Sequence, residues 1–218
     1  MEHDTLRRTR IVVIGANGGI GRHVVGQALK QNIQVAAVLR DPSRLTLVHQ
    51  NLTVVRGDIM QPGTLDGVIQ DNDIVVSAIG SNSLKETVLY SQGVRNIITS
   101  MQRTGLRRAL FISASGLEVN PTHTWLIRFA TRQILQRILR HMYADLERME
   151  QVIKESNIDW TIVRPPRLVD EPETGIYRVS INKVLDNPMT ISRADVSNYI
   201  LGHLTDAETA KATVEIAY

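Results

Sequence analysis

The chain has 218 residues, with 25 Lys and Arg against 22 Asp and Glu (net charge +3), 43% apolar residues and 22% charged ones. These fractions lie near the roughly 45–50% and 25% of ordinary folded chains, which excludes disorder, collagen-like repeats and coiled coil. No cysteine is present, so disulfides, thiolate nucleophiles and Cys-based metal sites are excluded as well.

The first strand is predicted at Arg10–Ile14, reached from a polar stretch with no apolar leader segment, and a helix at Gly19–Gln31 follows it. Further strands are predicted at Gln34–Leu39, Thr53–Arg56, Asp73–Ser77, Ala109–Ser113 and Trp160–Val163, with helices at Gly63–Ile69, Leu84–Thr104 and across Thr124–Ser156. Short Val- and Ile-rich runs alternating with helical stretches predict βαβ units and a mostly parallel sheet. The strands are near-continuously apolar, as strands covered on both faces must be. After Arg164 the rhythm changes to a Pro-Pro loop, short strands at Tyr177–Ile181 and Met189–Ile191, a helix over Arg193–Leu204 and a last strand, Thr213–Ala217, at the sheet edge. Ser192 and Asp195 are spaced as a capping box for that helix. The expected fold class is α/β, a doubly wound parallel sheet forming one domain over residues 1–218, with a small C-terminal lobe at 164–218 on the substrate side.

No apolar run approaches the roughly 18–20 residues that span a bilayer, so a cytoplasmic protein without a membrane span is expected. The six histidines are scattered, with no pair set beside a carboxylate on one helical face, and no metal site is expected. A Gly-x-Ser-x-Gly elbow is absent, as is an aromatic and basic sheet face of the RNA-binding type. The expected partner is a small-molecule substrate rather than nucleic acid, and the expected state a monomer or homodimer. Trp125 to Arg140 carries four arginines and reads as a basic amphipathic helix: a lid, an interface, a membrane-surface contact or a plain solvent face over its own core.

The first strand ends in Gly15-Ala16-Asn17-Gly18-Gly19-Ile20-Gly21 and passes into a helix. In that context Gly15 permits a tight turn, Gly18 lets backbone amides approach a pyrophosphate, and Gly21 lets the helix pack on the strand. Asn17, Gly19 and Ile20 position the backbone between them. At the end of the second strand, where an acid would hold the ribose of NAD, the chain reads Arg40-Asp41-Pro42-Ser43-Arg44. Arg40 and Arg44 suit a 2′-phosphate and favour NADP; the alternative is that both are solvated and Asp41 holds the ribose. Asp58, after the third strand, either stands beside the adenine amino group or caps a helix.

Gly15-x-x-Gly18-x-x-Gly21, Gly57-Asp58-Ile59, Ser77-Ala78-Ile79-Gly80 and Ser113-Ala114-Ser115-Gly116 together resemble the atypical short-chain dehydrogenase/reductases over nearly the whole chain. More narrowly, Arg148-Met149-Glu150, Arg164-Pro165-Pro166-Arg167, Thr174-Gly175-Ile176-Tyr177 and Ile191-Ser192-Arg193-Ala194-Asp195 resemble the biliverdin reductase B (flavin reductase) and NmrA-like NAD(P)H-binding groups. The resemblance implies NADPH lying across the strand ends, with Asp58 and Ile59 toward the adenine. Ala78, Ile79, Gly80, Ser113, Pro165 and Pro166 then lie toward the nicotinamide.

The implied activity is hydride transfer to a planar acceptor, a flavin (FMN or FAD) first and a quinone or bilin next, with Ser113, Tyr143 and Arg167 on the acceptor side. The flavin-reductase pattern has a serine and a histidine where this chain has Ala114 and Arg167, and Arg167 is no proton donor. Tyr143 is followed four residues later by Glu147 instead of the lysine of the Tyr-x-x-x-Lys pair. A carboxylate there raises the phenol pKa, which disfavours ordinary alcohol dehydrogenation. Two other functions are weighed: a non-catalytic NADP-binding sensor of the NmrA-like kind, and, less favoured, a nucleotide-sugar epimerase or dehydratase.

Overall fold

A computed structural model describes residues 10–70, 73–80, 86–115 and 136–218. The strands are β1 (Arg10–Ile14), β2 (Gln34–Leu39), β3 (Leu52–Arg56), β4 (Asp73–Ser77), β5 (Arg108–Ile112), β6 (Asp159–Arg164), β7 (Arg167–Val169), β8 (Arg178–Ile181), β9 (Thr190–Ser192) and β10 (Ala212–Ala217). The helices are α1 (Gly19–Lys30), α2 (Leu89–Thr104), α3 (Gln136–Lys154) and α4 (Arg193–Gly202). Residues 125–135 of the basic segment lie outside the described residues. Among those described, no helix is long and apolar enough to cross a membrane.

An eight-stranded sheet runs in the order β3-β2-β1-β4-β5-β6-β10-β8, and β7 pairs with β9 in a second, two-stranded sheet. Every neighbouring pair in the large sheet is parallel except β10 with β8. This is the doubly wound α/β architecture, and its order reverses at β1, which lies between β2 and β4. At such a switch point the flanking connections leave toward opposite faces, opening a crevice at the carboxyl ends of the strands. At the other end, Arg10 clamps β1 to β4 by donating to both oxygens of Asp73 (2.8 and 2.6 Å).

The core has two layers because successive strand residues point to opposite faces. Ile11 and Val13 of β1 join Val24 and Ala28 of α1 and Val196 and Ile200 of α4 on one face. Val12 and Ile14 join Val94 and Ile97 of α2 and Met149 and Ile153 of α3 on the other.

Four expectations are corrected. The stretch predicted as a helix at Gly63–Ile69 forms only a 3₁₀ turn, Pro62–Leu65, because Pro62 and the positive φ of Gly67 (76°) bracket it. With so short a crossover above it, β3 is not covered on both faces: Thr53, Val54 and Arg56 are exposed. Thr213–Ala217 does not end the sheet. It forms most of β10, inserted between β6 and an antiparallel edge strand, β8.

The fourth concerns the helix predicted at Leu84–Thr104: α2 starts at Leu89, and residues 84 and 85 lie outside those described. Val88 at its N-cap has no capping side chain; Asp145 of α3 supplies it, accepting the amides of Tyr90 (2.8 Å) and Ser91 (3.4 Å).

Candidate cofactor-binding site

The loop from β1 to α1 lies at the switch point. Gly15 has φ +78°, and a β-carbon there would stand 2.5 Å from the carbonyl oxygen of Ala78, at the end of β4. A β-carbon on Gly21 would overlap the carbonyl oxygen of Gly15. Both glycines are therefore demanded by close backbone approach. The Gly18 amide donates to Gly15 O (2.8 Å), and Ala78 N donates to Ile14 O (2.9 Å), tying the loop to β4.

Ile20 buries its side chain in the core under α1, while Asn17 is half-buried and Gly18 and Gly19 are exposed. The helix opens on Gly18 with no side-chain cap and no acid in its first turn. Its first amides and positive dipole end are thus offered to an external anion.

The adjoining edge is cationic. Arg40 and Arg44 are both exposed beyond β2. Between them Asp41, also exposed, caps the next turn, its Oδ1 accepting the Ser43 hydroxyl (2.7 Å) and amide (3.2 Å). Those bonds hold its carboxyl below the usual range, with Arg44 and Arg56 adding to the effect.

Arg56 is a third exposed arginine here, which the motif reading missed. It ends β3 and is in register with Leu39, next to Arg40, so the adjacency of β2 and β3 was its only signal. Asp58 caps no helix, since the N-cap of the 3₁₀ turn Pro62–Leu65 is Gln61; its Oδ1 accepts the Met60 amide (2.9 Å) in the turn just before. Ile59 is buried against Gly93 of α2, and its carbonyl accepts from Asn96 (2.6 Å), so it shapes this wall from behind.

On the other side of the switch point, Ala78 is buried, Ile79 half-buried and Gly80 exposed. Ser113, just beyond β5, is 8% exposed, and its hydroxyl donates to Glu150 Oε1 (2.7 Å). Glu150 comes from α3 and is itself buried. It takes a two-pronged bond from Arg164 at the end of β6 (2.8 and 2.6 Å) and a third contact from Lys154 (3.1 Å). Burial alone would raise the Glu150 pKa, but the bonds from Arg164, Ser113 and Lys154 outweigh it and hold the carboxyl below its ordinary range.

Pro165 follows directly, buried, with its carbonyl accepting the Ser115 amide (3.0 Å); Pro166 is half-buried. Ser113, Pro165 and Pro166 thus share one wall at the β5–β6 ends. Tyr143 lies about two helical turns before Glu150 on α3, half-buried against the core, and burial raises its phenol pKa. Glu147 beside it is exposed, and Arg167 is exposed on β7, in the small sheet. Glu150 and Arg164 carried no role in the sequence reading because neither type nor spacing marks a buried ion pair.

A family model described as NAD(P)H-binding matches residues 15–207. Reductase pytE of Aspergillus terreus is 26% identical, the match covering 95% of this chain and 97% of that one. Among solved structures, a short-chain dehydrogenase/reductase of Veillonella parvula in complex with NADP has TM-score 0.77 at 19% identity, covering 96% of this chain and 94% of that one. An anaerobilin reductase of Escherichia coli O157:H7 has TM-score 0.73 at 20% identity, covering 95% and 96%. At these identities the two structures speak for the fold, while the family match spans both the glycine loop and the C-terminal lobe. This chain, with its switch-point crevice and uncapped first helix, belongs to the NAD(P)H-binding family whose model it matches.

Proposed function

We propose that the protein is an NADPH-dependent reductase of a small planar acceptor, with a flavin such as FMN or FAD the first candidate and a quinone or bilin next. The observation that carries the cofactor choice is the exposed set Arg40, Arg44 and Arg56 around an Asp41 already committed to Ser43. A ribose 2′-phosphate meets guanidinium groups there, whereas a bare 2′-hydroxyl finds its usual acid engaged.

Two features of the chain fit a dinucleotide: a loop that added β-carbons would fill at Gly15 and Gly21, and a helix end without its own cap. Gly15, Gly18, Gly19 and Gly21 would hold the pyrophosphate, and Ala78, Ile79, Gly80, Pro165 and Pro166 would flank the nicotinamide, whose chemistry is hydride donation.

The remaining side chains position an acceptor more readily than they relay protons. The Ser113 proton is directed into Glu150, Arg167 keeps its charge, and Tyr143 keeps its phenol proton at neutral pH. Such a site suits an acceptor that takes hydride and needs little else than alignment and exclusion of water. The reductase names of the Aspergillus and Escherichia proteins support the same reaction class.

The direct test is NADPH oxidation by the purified protein with FMN, run beside NADH. The expected result is saturable loss of absorbance that requires both protein and flavin. Cofactor binding without turnover across flavin, quinone and bilin acceptors would overturn the reductase reading in favour of a nucleotide sensor. For the cofactor choice, Arg40→Ala is expected to weaken NADPH about tenfold, on the order of 1.4 kcal/mol for one charge-assisted contact, and to leave NADH unchanged. Equal losses for both would refute the 2′-phosphate assignment.

A further inference from the structure

We infer that Arg193, from the C-terminal lobe, binds the diphosphate of the dinucleotide, and that Asp170 holds its guanidinium in place until the diphosphate arrives. Arg193 is the first residue of α4, yet its side chain lies across the opening of α1: a β-carbon on Gly19 would stand 2.6 Å from its Nε and 2.9 Å from its Cδ. Its Nη1 meets Asp170 Oδ1 at 2.9 Å, and Arg22 Nη2 approaches the same oxygen at 3.7 Å. The missing side chain at Gly19 thus has a second consequence beyond the loop backbone, since it lets a guanidinium settle where the uncapped amides of α1 already favour an anion.

The two partners are unequally held. The Arg193 side chain is 25% exposed and its backbone is fixed on both sides. Ser192 accepts the Asp195 amide (2.9 Å), and the carbonyl of Ala194 accepts from Gln27 of α1 (3.0 Å). Asp170 is 66% exposed. A pair with so much water around its acid contributes little, about 0–1 kcal/mol in general, and gives way easily to a stronger anion. Diphosphate is that anion, because it presents more charge and matches the planar fork of arginine. The inference rests on the dinucleotide occupying this loop and is independent of the acceptor.

Calorimetric titration with NADPH, NADH and adenosine 2′-monophosphate separates the two phosphate sites. Arg193→Ala is expected to weaken NADPH and NADH by one common factor of about tenfold, leaving their ratio and the affinity for adenosine 2′-monophosphate unchanged. Asp170→Asn is expected to tighten both dinucleotides, and to do so only while Arg193 is present, so the double variant should match Arg193→Ala. Arg193→Lys is expected to fall between, and serves with Asp170→Asn if Arg193→Ala proves unstable.

Wild-type dinucleotide affinity in Arg193→Ala, or tightening by Asp170→Asn that persists without Arg193, would overturn the inference. A loss shared with adenosine 2′-monophosphate would do the same. Failure of the wild-type protein to discriminate NADPH from NADH, or to turn over, tells against the proposed function instead and leaves these comparisons intact.

Discussion

Replacing Glu150 by Ala is expected to destabilise the protein by about 3–5 kcal/mol at neutral pH, the usual cost of removing one partner from a buried ion pair. The reason is geometric. Glu150 and Arg164 are both at most 5% exposed, and the carboxylate bridges three elements, taking bonds from Ser113 beyond β5, Lys154 of α3 and Arg164 of β6. A guanidinium that has lost this carboxylate stays in a place where water compensates poorly.

The effect should also depend on pH. Because the folded Glu150 pKa lies below its ordinary value, its contribution is fully present above the unfolded pKa and is lost as the pH falls through the folded one. Denaturant unfolding of wild type and Glu150→Ala should therefore differ most near pH 7, and the gap should close progressively below about pH 4. A gap that stays constant down to pH 3, or no gap at pH 7, would show that the bridge does not stabilise the fold. Ser113 should report the same change at the site, since its hydroxyl loses the group that orients it.

Substituting Gly21 by Ala is expected to be the most damaging single-methyl change in the cofactor loop. The added carbon overlaps the Gly15 carbonyl oxygen, a backbone atom whose loop is itself tied to β4 through Ala78, so neither side yields cheaply. Overpacking of this kind costs about 1–3 kcal/mol of stability. Displacement of the loop should lower NADPH affinity about a hundredfold or more, which is roughly 2.7 kcal/mol. Gly26→Ala is the matched control, five residues along the same helix, where a β-carbon meets nothing within 4 Å. Its helix-propensity gain of up to about 1 kcal/mol should make it neutral or slightly stabilising. Equal cofactor affinities for the two variants, measured by fluorescence titration, would mean that Gly21 is not needed for helix–strand approach.

What was legible in the sequence is what short-range physics controls. Strands buried on both faces cannot tolerate polar residues, so β1, β2 and β4 announced themselves as apolar runs. The glycines at 15 and 21 were readable for a similar reason, because a β-carbon at Gly15 would press on the Ala78 carbonyl beside β4 and one at Gly21 on the Gly15 carbonyl. Periodicity misled where a turn competes with a helix, as at Pro62 and Gly67, or where capping comes from elsewhere, as with Asp145 on α2.

The Ser192–Asp195 capping box was correct in half. Ser192 accepts the Asp195 amide, but the Asp195 carboxylate reaches back only to the Ser192 hydroxyl (3.1 Å) while also taking Thr174, Gly175 and Tyr218, and the Ser192 amide goes to Tyr218 Oη. The sequence alone determined the layered α/β plan, the glycine loop and its two arginines, because each follows from the burial or backbone geometry of neighbouring residues. Only the tertiary structure decided that Arg56 joins those arginines, that Glu150 captures Ser113, and that Arg193 reaches across to Gly19. Those pairings depend on which charged groups the packing of distant elements leaves facing one another, and no local pattern records that.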